Sequence, residues 1–358
     1  MQLFPSRQIM LYMAKLFLVR TFAVLAMLVL ILQTLDLLGE SGKILAMPGN
    51  SNADVLTYLG MRMPQIIARM LPFSVLLGTL ITFTALSQNS EVVAMKAAGL
   101  SAHQILAPLI ASSLIVAATS FIFNDTVVAP ATANLKAWQD VEYGKVPIDT
   151  GIKNNVWVRE GQDIISAGEV RNSGLRNVTV YLRNENILRE VIKADTAVYR
   201  NGAWQLKNVR IFDVATITQK NVDTLTVGKG IEPARFQYVK VDGDALGFVP
   251  LYKAIQELKA SGRRTSSLEG LLWHKISGPL SALLMPLLAA VAAFGLARSG
   301  ALFLRAVIGM ALGFVYFVAD NFALAMGNLG AYPPLIAAWA PFLLFLLIGE
   351  TVLFRTEE

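Results

Sequence analysis

The chain has 358 residues, of which 54% are hydrophobic and only 16% charged, and it carries a formal net charge of +6 without any cysteine. About a quarter of the residues in a soluble globular domain are charged, so this composition excludes such a domain and indicates a protein that spans a lipid bilayer. The basic residues are scattered along the sequence, which argues against nucleic acid as a partner. The lack of cysteine excludes a disulfide framework and thiolate chemistry.

The first apolar run, from Thr21 to Leu38, follows basic residues as a signal peptide would, but it is too long and lacks a small-residue cleavage site. It is therefore predicted to stay as a membrane helix. Six runs are long enough to cross the hydrocarbon core, which takes about 20 apolar residues. They are Lys15–Leu38, Pro64–Leu86, Gln104–Val128, Leu272–Ala297, Leu302–Ala325 and Pro333–Phe354.

Basic residues lie at both ends of the chain, between the second and third runs, and between the fourth and fifth. Cytoplasmic loops carry such an excess, so we expect both termini in the cytoplasm. The polar stretch Ala129–Gly270 is then outside it. A long domain crosses the membrane largely regardless of its charge, so the lysines and arginines of this stretch do not oppose the assignment.

The loop between the second and third runs has the sequence pattern of a short capped helix. Ser90 is suited to the N-cap, Glu91 to the first turn and Gly99 to the C-terminal end. Its apolar side chains are Val92, Val93 and Met95. Exposed apolar side chains on a short helix suit a groove on a partner protein. The alternative is an amphipathic helix that lies on the bilayer.

The stretch outside the cytoplasm has the pattern of a β domain, with short runs rich in Val, Ile, Tyr and Trp between Gly, Asn and Asp. The predicted strands are Val156–Arg159, Ile164–Ala167, Val178–Leu182, Ala197–Arg200, Trp204–Val209 and Thr224–Val227. Asn201-Gly202 predicts a type I′ hairpin turn. A helix is expected at Pro250–Ala260, ended by Gly262, and Ser266 with Glu269 is expected to form a capping box for the next helix.

These elements predict an α-helical membrane protein with six transmembrane helices and an all-β, jelly-roll-like domain inserted between helices three and four. The predicted domains are residues 1–128, the first membrane half with a loop helix at about 90–99; 129–248, the β domain; 249–270, a connecting helix; and 271–358, the second membrane half.

Ionisable residues inside membrane segments are candidates for function. Asp36 and Glu40 lie four residues apart and so share a helical face, and Asp320 lies within the fifth run. Asp320 could pair within the bundle or contact a transported molecule. Arg20 is interpreted as a residue reaching the cytoplasmic interface and His274 as an interfacial anchor.

The sequence contains no nucleotide-binding loop, hydrolase elbow, zinc-binding helix or paired-carboxylate motif. We therefore expect no catalytic, cofactor-binding or metal-binding residues. If ATP drives this protein, another chain binds it.

The motifs of the chain, taken together, resemble the LptF/LptG permeases of the lipopolysaccharide export system, and more closely the LptG branch. The resemblance runs over essentially the whole chain. The matching pieces are Leu71-Pro72 through Leu77-Gly78, Ser90-Glu91 through Met95-Lys96-Ala97-Ala98-Gly99, Val127-Val128-Ala129-Pro130, Trp157 through Gly161, Trp273-His274-Lys275-Ile276 with Pro279-Leu280, Phe314 through Asp320, and Tyr332-Pro333-Pro334. Each piece is weak alone, and their order and spacing carry the resemblance.

The resemblance implies a permease subunit of an ABC transporter in the bacterial inner membrane, with the β domain in the periplasm. It would extract lipopolysaccharide from the outer leaflet and pass it to a periplasmic bridge. The implied partners are an LptF-type permease, two copies of an LptB-type ATPase that bind the ATP, an LptC-type membrane-anchored protein and an LptA-type bridge, besides the surrounding membrane lipids. The chain itself would be non-catalytic.

Two groups of site residues follow from the resemblance. The candidates for ATPase coupling are Ser90, Glu91, Val92, Met95, Lys96 and Gly99. The candidates for the lipid cavity and gate are Leu32, Gln33, Asp36, Glu40, Lys43, Phe73, Leu77, Phe314, Phe317 and Asp320. The family often carries lysines near the outer end of segment one, where this chain has Gln33, Gly39 and Glu40.

Other functions remain open at the level of sequence. An ABC-type permease for another lipid or lipoprotein would work similarly, although such permeases usually have four membrane helices. A membrane-anchored assembly protein could bind a partner through its β domain. A secondary transporter is disfavoured because the two membrane halves show no repeat and no paired broken helices.

Overall fold

The computed structural model describes residues 5–146, 153–160, 162–171, 174–184, 187–200, 202–228, 233, 236, 241–260, 263–294 and 302–355. The turn residue Asn201, the helix terminator Gly262, the motif residue Gly161 and the end of the fourth run at Ala297 lie outside them. The chain forms two compact units. The first comprises Met1–Val146, Gly243–Tyr252 and Ser266–Glu358, and the second Pro147–Asp242 and Lys253–Thr265.

Nine α-helices and one π-helical turn are present in the described part of the chain. They are α1 (Arg7–Ala46), α2 (Asn52–Gln88), α3 (Glu91–Ala97), α4 (Ala102–Phe123), the π turn (Asn124–Val128), α5 (Ala129–Asp140), α6 (Phe248–Ala260), α7 (Ser266–Phe294), α8 (Leu302–Leu329) and α9 (Pro334–Arg355). Within the described ranges, six helices are long and apolar enough to cross a membrane, the third of them running from Ala102 to Asp140. The six predicted membrane helices are confirmed.

The membrane helices extend beyond the predicted apolar runs. Polar capping residues determine where two of them begin: Ser51 and Asp54 form a capping box that starts α2, and Ser101 and Gln104 form one that starts α4. The third helix also continues past Val128, so the first residues assigned by sequence to the β domain are helical.

The first unit contains the six membrane helices and is called the membrane unit below. Its core is apolar and is centred on α7, which packs against α2, α4, α8 and α9. Small residues allow some of these helices to approach closely. A Cβ atom added to Gly78 of α2 would lie 2.8 Å from Thr21 Cα and 2.9 Å from Thr21 N on α1. Glycine is therefore required where these two helices cross.

The described strands of the second unit form one antiparallel sheet. Its strands are β1 (Lys153–Glu160), β2 (Asp163–Arg171), β3 (Gly174–Asn184), β4 (Ile187–Arg200), β5 (Ala203–Asp213) and β6 (Thr218–Val227), and they pair in the order β1-β2-β3-β4-β5-β6. The predicted all-β insert is confirmed, and all six predicted strand runs lie within these strands. Every connection between described strands joins neighbours in the sheet, so the Greek-key crossovers of a full jelly roll are not among them.

Alternating side chains give the sheet one buried face, as the period of a β-strand requires. Ala167, Val178 and Leu206 lie on this face and are almost fully buried. Trp204 of β5 packs edge-on against Phe236, with ring centroids 5.3 Å apart. At the predicted β4–β5 hairpin, Gly202 has a φ angle of +78°, which is the backbone conformation that the sequence required there.

Candidate functional site

A cavity of about 730 Å³ lies within the membrane unit. It is bounded by α2, by the long third helix made of α4, the π turn and α5, and by α7 and α8. Part of its wall is apolar, with Phe73, Met285 and Phe317 among the lining side chains. Phe73 and Phe317 form an edge-to-face pair with ring centroids 5.1 Å apart. The polar lining residues are Arg62, Gln65, Arg69, Ser120, Asn124, Thr132, Lys136, Asp244, His274, Lys275, Ser281, Tyr316, Asp320 and Asn321. A cavity with both kinds of wall suits an amphipathic ligand.

The charged side chains of the cavity favour an anion. Among the residues described, four basic side chains line it against two acidic ones, Asp244 and Asp320. Arg69 is exposed to the cavity and has no ion-pair partner within the described ranges. Lys136 lies 4.0 Å from Asp244, at the limit of an ion pair. None of these basic residues was predicted to line a site, because they come from three separate helices and share no local pattern; Lys275 was noted only as part of the motif Trp273-His274-Lys275-Ile276.

A polar pair in the cavity wall joins α7 to α8. His274 Nε2 lies 3.0 Å from Asp320 Oδ2, and the Asp320 side chain is only 12% exposed. Gly278, one turn along α7, leaves room for the imidazole, since a Cβ atom there would lie 3.2 Å from His274 Cε1. The structure therefore pairs Asp320 with His274 between two helices of the membrane unit, while the interpretation of His274 as an interfacial anchor stays a prediction.

The C-terminal part of α1 is tied to α2 through Asp36. The Arg62 Nη2 atom donates to Asp36 Oδ1 at 2.9 Å, and Arg62 Nε donates to the same carboxylate at 3.1 Å. The Tyr58 hydroxyl donates to Asp36 Oδ2 at 2.6 Å. Charge-assisted contacts of this kind are the stronger class of hydrogen bond. Asp36 therefore contacts α2 rather than the cavity.

Glu40, one turn further, ties α1 to the segment after α5. The Tyr143 hydroxyl donates to Glu40 Oε2 at 2.6 Å, and Lys43 forms an ion pair with Glu40 at 2.8 Å. Burial of the Tyr143 ring, with this hydrogen bond, raises the pKa of the phenol. Asn50 Nδ2 donates to the Tyr143 carbonyl oxygen at 2.9 Å and so fixes the backbone there.

Three of the ten predicted cavity and gate residues line the cavity, namely Phe73, Phe317 and Asp320. The other seven described candidates lie outside its wall. Leu32 and Leu77 pack against the core of the membrane unit, while Phe314 and Lys43 are exposed elsewhere. Gln33 is buried between helices, and neither atom of its amide has a hydrogen-bond partner among the residues described.

The loop helix is present as α3, and Gly99 ends it with a φ angle of +86°, as predicted. Ser90 does not cap it: this residue adopts a left-handed φ of 58° and its side chain makes no cap hydrogen bond. Asn89 Nδ2 and the Tyr12 hydroxyl instead both donate to Glu91 Oε1, each at 3.3 Å.

The apolar side chains of α3 are also less exposed than the sequence suggested. Val92 is buried in the core of the membrane unit and Met95 packs against it, whereas Val93 is 66% exposed. Lys96 lies on the exposed side of the helix. One face of α3 therefore packs against the membrane helices, and the opposite face is exposed.

A family model described as lipopolysaccharide export system permease LptF/LptG matches residues 11–355. The chain belongs to the LptF/LptG family. LptG of Escherichia coli strain K12 is 27% identical over 306 residues, which are 83% of this chain and 84% of that protein. LptG of Haemophilus influenzae is 26% identical over 308 residues, 84% of this chain and 86% of that protein. Family membership and the six apolar helices identify a multi-pass inner-membrane permease.

Proposed function

We propose that this chain is the LptG-type permease subunit through which lipopolysaccharide leaves the outer leaflet of the inner membrane. The observation that carries the proposal is the cavity, because a phosphorylated glycolipid needs cationic and apolar groups in one site. Phe73 and Phe317 would contact acyl chains. The basic residues of α2, α5 and α7 would bind phosphate groups, which pair well with guanidinium. These basic residues would supply the positive charge that α1 lacks, since α1 has Gln33 and Glu40 where the family often carries lysines.

The proposed energy source is a separate ATPase with two copies per transporter, since the chain carries no nucleotide-binding motif. In this proposal α3 is the coupling helix, and Glu91, Val93 and Lys96 face the ATPase groove. Val92 and Met95 serve a different purpose, because their contacts with the membrane core would transmit the movement of α3 to α2 and α4. The chain itself would be non-catalytic and need no cofactor.

The proposed orientation places both termini and α3 in the cytoplasm and the sheet in the periplasm, as the distribution of basic residues favours. The permease would pair with an LptF-type chain. An LptC-type protein and an LptA-type bridge would receive the lipid near the sheet.

Replacing Glu91 with arginine is expected to weaken co-purification of the ATPase and to abolish lipid release from proteoliposomes, because the substitution reverses the charge that α3 presents. Co-purification and ATP-dependent release of lipopolysaccharide are the measurements. Tyr12→Phe is the matched control, since it removes one hydrogen bond to Glu91 and leaves the carboxylate. Normal assembly and release in Glu91→Arg would contradict the role of α3.

Replacing Arg69 with glutamate is expected to weaken lipopolysaccharide binding about tenfold, which corresponds to about 1.4 kcal/mol. The reason is that a repulsion replaces an attraction in the cavity, while no described ion pair is broken. Titration of the purified permease with labelled lipopolysaccharide measures the change. Arg69→Lys keeps the charge and should bind within about threefold of the parent. Equal affinities for Arg69→Glu and the parent would exclude this cavity as the lipid site.

A further inference from the structure

The Arg62 guanidinium forms hydrogen bonds both to α1 and to a residue of the cavity wall. Its Nε and Nη2 atoms donate to Asp36 on α1, and its Nη1 atom donates to Gln65 Oε1 at 2.7 Å. Arg62 and Gln65 belong to the cavity wall, whereas Asp36 does not. The two side chains of the ion pair are 28% and 20% exposed, so solvent and ligands can reach them. One guanidinium therefore holds α1 and also faces the site proposed for the lipid.

A phosphate in the cavity would compete with Asp36 for this guanidinium. Arg62, Gln65 and Arg69 follow one another at spacings of three and four residues and lie on one face of α2. A phosphate bound to Arg69 would therefore lie on the same helix face as Arg62, which is two turns, about 10 Å, further along the axis. Phosphate and carboxylate oxygens accept the same pair of N–H groups from a guanidinium, so one anion can replace the other without moving the arginine far.

We propose that Arg62 is a ligand-controlled latch: Asp36 occupies it in the empty permease, and a phosphate of the glycolipid replaces Asp36 when the cavity fills, releasing the outer half of α1 from α2. This inference rests on the proposed function of the cavity. After the exchange, Asp36 keeps only the hydroxyl of Tyr58 among its described partners on α2. The Glu40–Tyr143 contact still holds the end of α1, so the exchange loosens α1 and does not detach it.

The exchange couples phosphate binding to the contact between α1 and α2, and this coupling has the same size in both directions. If the phosphate weakens the α1–α2 contact, the Asp36 carboxylate must weaken phosphate binding by the same factor. Removing the charge of Asp36 should therefore tighten lipid binding, although Asp36 lies outside the cavity. A side chain with a purely structural role would not give this result.

The separation of α1 and α2 can be measured directly with spin labels, because the chain contains no cysteine that would compete with introduced ones. Gly39 on α1 and Gly60 on α2 have no atom within 4 Å of an added Cβ. Spin labels on cysteines at these two positions report the separation of the helices. The permease complex is placed in nanodiscs, and the distance distribution is recorded alone, with lipopolysaccharide, and with lipopolysaccharide whose phosphates have been removed enzymatically.

We expect phosphorylated lipopolysaccharide to lengthen or broaden the distance, and the dephosphorylated form to leave it unchanged. In Asp36→Asn the distribution should be broad without ligand, and the affinity for phosphorylated lipopolysaccharide should rise about fivefold. Asp140→Asn removes an equal charge at the exposed end of α5 and should change neither quantity. Arg62→Lys keeps the charge but loses the fork of donors, and it should broaden the distribution as well.

Each other outcome is decisive. Lipopolysaccharide that binds without changing the distance, or an unchanged affinity in Asp36→Asn, would overturn the latch and leave the proposed function standing. Absence of any lipopolysaccharide binding would overturn the proposed function itself. The same opening in nanodiscs rich in phosphatidylglycerol, without lipopolysaccharide, would overturn the assignment of the phosphate to the glycolipid.

Discussion

Replacing His274 with leucine should lower the free energy of unfolding of the membrane unit by about 2–3 kcal/mol. The substitution leaves the Asp320 carboxylate, which is 12% exposed, without its hydrogen-bond partner on α7. A buried carboxylate that loses its partner keeps the cost of desolvation and gains nothing in return. The measurement is the thermal unfolding midpoint of the purified protein in detergent, which should fall by several degrees.

The control is the double variant His274→Leu with Asp320→Leu, in which both polar groups are absent. Replacing a whole buried polar pair by apolar residues is often close to neutral, because no unpaired group remains. The double variant should therefore unfold nearer to the parent than His274→Leu does. Additive losses would show that the two side chains stabilise the protein independently, and the pairing would then have no energetic role.

The second large effect concerns the crossing of α1 and α2. Gly78→Leu is expected to destabilise the protein by about 3 kcal/mol, since overpacking of a tight core costs up to roughly this amount. A new side chain would meet the Thr21 hydroxyl and also the backbone N and Cα of Thr21, and these backbone atoms cannot rotate away. Thermal unfolding and the yield of folded protein in detergent are the measurements.

Gly60 provides the matched control in the same helix. A Cβ atom at Gly60 meets nothing within 4 Å. Gly60→Ala should therefore stabilise α2 by about 0.5–1 kcal/mol, because alanine has less backbone entropy to lose than glycine. If Gly78→Leu unfolds like the parent, α1 must be able to move away from α2, and the crossing is not tight.

The membrane helices could be predicted from hydropathy, but their ends could not. The apolar run predicted from Lys15 to Leu38 belongs to a helix that extends from Arg7 to Ala46. Hydropathy reports the part of a helix that lies in hydrocarbon, whereas hydrogen bonds and caps decide where it begins and ends. The continuation through α5 was missed for the same reason, since Ala129–Asp140 is polar enough to resemble a soluble segment.

The candidate site was less accessible from the sequence. Asp320 drew attention because a carboxylate in an apolar run is unusual. Its partner His274 lies 46 residues earlier, and no spacing rule connects two helices at that distance. Asp36 and Glu40 were recognised as one helical face, yet only the fold shows that this face meets Arg62 and Tyr143. Arg62 stands among uncharged neighbours and has no local signal of function.

The sequence pattern predicted the position of α3 correctly, but it predicted its N-cap and the exposure of its side chains incorrectly. Glu91 and Gly99 lie where the pattern required them. Ser90 was expected to cap the helix by propensity, but it enters α3 in a left-handed conformation and its side chain makes no cap hydrogen bond. Val92 was expected to be exposed, and it is buried because the neighbouring membrane helices cover it. Sequence patterns describe a helix alone and do not contain its neighbours.

The π turn between α4 and α5 affects how the long third helix faces the cavity. The lining residues of this helix recur at every fourth position: Ser120, Asn124, Val128, Thr132 and Lys136. An α-helix has 3.6 residues per turn, so four such steps would rotate the last side chain by about 160° from the first. A π turn winds more residues into each turn and compensates part of this rotation. The single irregular turn thus allows one helix to keep a continuous row of mostly hydrophilic side chains along the cavity, from Ser120 to Lys136.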